Sequence, residues 1–188
     1  MSAPAVDTAA TGGGRFDIPA GADPAAVLAA VRRGIFQVCK EHLAAELKRL
    51  HPVLASGPAP EAVAAVRAVS LAVDEAAGVV AEADAVLRLQ GLADDAATGW
   101  SERRGLLEGQ IKHSRLLLAA MERSPPESTW MMLLRGVVGE LSLVSGFAKN
   151  WCSWPPLPAS YRARPALTPA VVDDLASGIE AVQVSAQQ

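Results

Sequence analysis

Residues 124–151, SPPESTWMMLLRGVVGELSLVSGFAKNW, constrain this chain more than any other stretch. Ser124 and Glu127 have capping-box spacing, and Pro125 suits the first helical position. The run that follows is apolar on almost every side. Met131, Leu134, Val138, Leu141, Val144 and Phe147 do not fit one narrow stripe. Arg135, Ser142 and Lys149 recur every seven residues, with Gly139 and Gly146 between them, and leave a single thin polar seam. A helix apolar nearly all round is either buried or membrane-spanning. Arg135 and Glu140 interrupt the run, which favours the buried reading. The expectation is a central helix that the others wrap.

The remaining helices follow from periodicity and punctuation. Asp23-Pro24 is an N-cap followed by a proline at N1. From there Leu28, Val31, Ile35, Val38, Cys39, Leu43, Leu47 and Leu50 mark one face of a long helix. Pro52 predicts its end near Leu50. Residues 52–60, PVLASGPAP, read as a connector. A second helix is predicted from about Pro60 to Gln90, with Val66, Val69, Val73, Ala76, Val80, Ala83 and Leu87 as a heptad seam of small knobs. A third runs from about Ser101 to Arg123 on Leu107, Ile111, Ser114, Leu118 and Met121. The turn to the fourth helix is so short that the two are expected to form an antiparallel hairpin.

Both ends read differently. Residues 1–22, rich in Ala, Gly, Thr and Pro, are expected to form a disordered tail, with Phe16 and Ile18 able to tuck against the body. Residues 152–168 carry a proline-rich segment expected to cross the outside of the domain, with Trp154, Leu157 and Tyr161 as anchors. Thr168-Pro169 opens a short last helix on Val172, Leu175, Ile179 and Val182, and residues 186–188 fray. Residues 23–185 thus read as one all-α domain, an up-and-down bundle of four long helices with a fifth, shorter C-terminal helix packed on its side. The alanine-rich composition and scarcity of aromatics agree with that class.

Charge and cysteine usage narrow the function. A net charge of −3 lacks the basic stripe of a nucleic-acid binder. Two cysteines far apart make no disulfide framework and point to a reducing compartment. With no signal-peptide pattern at the N-terminus, the expected location is cytoplasmic. No cofactor motif is legible.

Three sets of residues carry candidate chemistry. Cys39, His42 and Glu46 stand at i, i+3 and i+7 on the first helix, and a thiolate, an imidazole and a carboxylate can share a zinc ion. The plainer reading makes Cys39 a core residue and pairs Glu46 with Arg49. On the third helix, Ser101, Gly105, Gly109 and His113 form a row at every fourth position. Such a row suits a close helix contact, or alternatively a ligand or catalytic pocket with His113 as general base, lined by Gly105, Gly109, Leu106, Leu134 and Val138. The helix contact is the preferred reading. Arg103-Arg104 and Arg162 with Arg164 are short basic spots that suit a phosphate or, more plainly, solvent.

With no catalytic signature on show, the sequence favours a non-enzymatic protein that binds a protein partner or itself. A homodimer through helix 125–151 would use its surplus apolar surface. A ligand-binding or catalytic bundle is the competing class. Peripheral membrane association is a weaker third, because the run lacks a basic flank.

Overall fold

A computed structural model describes residues 15, 16, 18, 19, 21–56, 60–123, 128–158 and 161. Every regular element among them is helical: α1 (Pro24–Ile35), a π-helical segment (Phe36–His42), α2 (Leu43–Ser56), α3 (Pro60–Leu89), a short 3-10 turn (Ala96–Thr98), α4 (Trp100–Arg123) and α5 (Ser128–Cys152). The chain is therefore all-α over its described length. The predicted last helix and the Ser124–Glu127 capping box lie outside the described residues.

The first rod begins as its sequence signals. Asp23 accepts a hydrogen bond from Ala26 N at 2.7 Å, and Pro24 occupies N1. The π segment explains the drifting apolar spacing. Ile35, Cys39, Leu43 and Leu47 advance in steps of four, which would rotate off the core on a helix of 3.6 residues per turn. The wider π turn holds all four in the core.

The rod does not stop at Leu50. It continues through Pro52 to Ser56. Pro52 lies on the exposed side, while Val53 and the half-buried Leu54 carry the packed stripe past it. Burial of that extra turn outweighs the proline's local preference. Phe16 is buried and Ile18 packs on the core, so docked chain extends upstream of residue 22. Gly34 makes this possible, because a Cβ there would collide with the Phe16 ring.

Helix α3 ends in a Schellman motif. Leu92 N donates to Leu87 O at 2.8 Å and Gly91 N to Arg88 O at 3.0 Å, with Gly91 at φ +65°. Its predicted heptad residues, Val66 through Leu87, are all buried, as is the whole predicted seam of α4.

Side-chain pairs fix how neighbours run. Asp84 of α3 meets Trp100 and Arg104 of α4, while Asp74 meets Arg115, so α3 and α4 are antiparallel. Arg103 lies over Phe147, His113 meets Glu140, and Leu117 packs at Gly136, so α4 and α5 form the expected antiparallel hairpin. The α1–α2 rod packs against both α3 and α5.

The central-helix expectation needs correction. α5 buries one stripe, Trp130, Leu134, Val137, Leu141, Val144, Ala148 and Trp151. On the opposite side Met132 is 65% exposed and Leu143 47% exposed. By length and composition the helix could cross a membrane, yet only 33% of its most apolar window is buried inside the protein. Its composition counted apolar residues correctly. Among the described residues the neighbouring helices cover only part of its circumference, so it is one wall of the core rather than its axis.

Candidate functional site

The sequence-predicted sites do not assemble. Cys39 is fully buried, and burial pushes its thiol up to about 12. His42 is half exposed instead, with Nδ1 2.7 Å from Glu75 and Nε2 3.9 Å from Glu46, while Glu46 pairs with Arg49 at 2.9 Å. The imidazole nitrogens thus face two different carboxylates. In the wider π turn, three residues fall further short of a full turn, so Cys39 and His42 diverge. Among the described residues no group of three His, Cys, Asp or Glu side chains is placed to hold a metal ion.

The glycine row is likewise misplaced by the sequence. Gly105 and Gly109 are exposed, and a Cβ at either would meet nothing within 4 Å. Among the described residues no other helix packs against them. His113 is on the surface, 3.0 Å from Glu140 of α5. Leu134 lies in the core, and Val138 is half-buried. Among the described residues these five are therefore spread between core and surface rather than gathered on one wall. With nothing packed on the glycines, only their helix penalty of about 1 kcal/mol each against Ala remains. Replacing both by Ala is expected to raise unfolding stability by about 1–2 kcal/mol, read from urea denaturation midpoints.

The structure builds its polar centre elsewhere, where α5 ends. Trp151 is buried against Trp100, with ring centroids 4.8 Å apart and planes tilted by 47°. Its indole N–H donates to Thr98 O at 2.9 Å. The single Thr98 hydroxyl proton lies between Asp95 O at 2.8 Å and Leu92 O at 3.1 Å, and its oxygen accepts from Trp100 N, which ties the α3–α4 loop into one knot. Tyr161 donates to Asp95 Oδ2 at 2.6 Å. Nearby, burial works against the Asp84 carboxylate, but hydrogen bonds from Trp100, Arg88 and Arg104 hold it below its ordinary value.

Arg32 of α1 reaches into this knot. Its guanidinium donates to Trp154 O at 3.0 Å, Pro155 O at 3.1 Å and Thr98 O at 3.4 Å, and lies 5.3 Å from the Trp151 ring centroid. It thus latches the segment after α5 onto α1. Trp154 lies over Gly99, whose φ of +63° and missing Cβ admit the indole. Cys152 donates its S–H to Arg32 O at 3.1 Å. Burial pushes that thiol up to about 11 despite the nearby Arg32 cation, so at neutral pH it is a donor rather than a nucleophile.

Between α1 and the latched segment lies a cavity of about 550 Å³, floored by Leu28 and Leu157 and bordered by Arg32, Phe36, Cys152 and Trp154. Sequence reading missed it. One signal was present: Arg32 falls four residues after Leu28 and three before Ile35, a charge on the core-facing stripe. Its carbonyl partners are 66 to 123 positions away and leave no local trace.

Together, fold and site define an all-helical protein with an apolar cleft at one end. No protein-family model, curated protein or solved structure matches the chain.

Proposed function

We propose that this chain is a non-enzymatic, cytoplasmic helical-bundle protein that works by self-association or by binding another protein, as a scaffold, adaptor or assembly subunit. Its architecture in this reading is an up-and-down bundle of four long helices with a fifth, shorter C-terminal helix on its side. The observation that carries the proposal is the outward face of α5. Met132 and Leu143 are exposed there, on either side of Gly139, which has open space where a Cβ would be. Gly146 extends the same flat strip. Apolar side chains separated by glycines let a second helix approach closely and bury both. A second copy of α5 is the proposed occupant, in an isologous homodimer.

A protein partner suits this face better than a bilayer. Arg135 stands exposed on the same side, and a membrane would have to bury its charge. A glutamate placed on the strip separates the outcomes. Leu143→Glu is expected to convert a dimer into a folded monomer, as read by native mass spectrometry and light scattering with an unchanged far-UV spectrum. A natural chain that stays monomeric and retains no protein partner would sink the proposal.

A further inference from the structure

Arg32 is a buried cation that no anion among the described residues neutralises. The residue is 7% exposed. Among the described residues all its hydrogen-bond acceptors are neutral carbonyls, and its Nε has no partner. No carboxylate among the described residues counterbalances it; burial is the main influence on the group and holds its pKa below the ordinary value. Buried cations in folded proteins are ordinarily paired with an anion. The same side chain forms part of the wall of the 550 Å³ cavity, a volume inside the range of roughly 300–1,000 Å³ typical of small-molecule sites.

The rest of the wall specifies what would fit. Leu28, Phe36 and Leu157 offer an apolar surface. Arg33, beside Arg32 on the rim, is exposed and makes no ion pair among the described residues. Glu41 is the one carboxylate among the described lining residues, two helical turns further along the rod. Positive charge is therefore concentrated at one end of an apolar cleft, with negative charge at the other. We propose that this cavity binds a small monoanionic organic acid, with its carboxylate beside Arg32 and Arg33 and its apolar body against Leu28, Phe36 and Leu157. A diacid would meet Glu41 with its second charge, and an organic cation would meet two arginines.

The test uses three probes of one chain length, octanoate, 1-octanol and octylamine, titrated calorimetrically into the full chain at neutral pH. Octanoate is expected to bind with a micromolar Kd, 1-octanol at least about tenfold more weakly, and octylamine more weakly still. Arg32 is left intact, because its removal would also release the latch. Ala29, an exposed residue on the lining, takes its place in the test. Ala29→Trp fills the cleft and is expected to abolish octanoate binding while leaving the far-UV spectrum and Tm unchanged. Arg33→Gln is expected to weaken octanoate by about fivefold or more. Equal binding of octanoate and 1-octanol, octanoate binding that survives Ala29→Trp, or no octanoate binding at about 5 mM would each overturn the proposal. Neither substitution lies on α5, so this result and the oligomeric state can fail independently.

Discussion

Trp151→Ala is expected to cost about 3–5 kcal/mol of unfolding free energy, the range for emptying a buried tryptophan site. The residue is fully buried, stacked on Trp100 and hydrogen-bonded to Thr98 O. Truncation removes the packing, the indole donor and the aromatic face beneath Arg32. Thr98 O keeps Arg32 as a donor, so that carbonyl is not stranded and the loss is mainly one of volume. Guanidinium denaturation followed by tryptophan-independent far-UV signal measures it. A loss under about 1 kcal/mol would show that the knot at the end of α5 does not hold the helices together.

Leu141→Ala is expected to cost about 2–5 kcal/mol, whereas Leu143→Ala, two residues away on the same helix, is expected to stay within about 0.5 kcal/mol in the monomer. Leu141 is fully buried at mid-helix, and Leu143 is 47% exposed. The contrast tests whether α5 has one packed side and one free side. Equal losses from both truncations would mean that α5 is enclosed all round. The measurement is made at protein concentrations low enough to exclude dimer, because a dimer interface would add to the cost at Leu143.

Much of the helical plan was legible in local sequence. The Asp23 cap, the glycine stop at Gly91 and the seams of α3 and α4 depend on neighbours three or four positions away, and each appears where periodicity put it. Two local rules were overruled. Pro52 did not end its helix, because Val53 beyond it packs into the core. The four-residue steps from Ile35 to Leu47 were legible as drift, but only packing against α3 and α5 selected a π turn to absorb it.

The candidate sites were much less legible, for a physical reason. Cys39, His42 and Glu46 shared a side only if the helix kept an α-helical pitch, and it did not. Gly105 and Gly109 looked like a contact because small residues permit close approach, yet permission is not a neighbour, and none of the described residues packs on them. The residues that do converge are scattered in sequence: Arg32 on α1, Thr98 in a loop, Trp151 and Trp154 at the far end of α5. By itself the sequence determined an all-helical chain, most helix limits and most of the buried stripes, since these depend on caps and periodicity over a few residues. Tertiary structure alone decided which side of α5 stays open, and that a buried arginine borders an apolar cleft. Both depend on which surfaces meet across separations of up to 123 positions, and no local pattern encodes them.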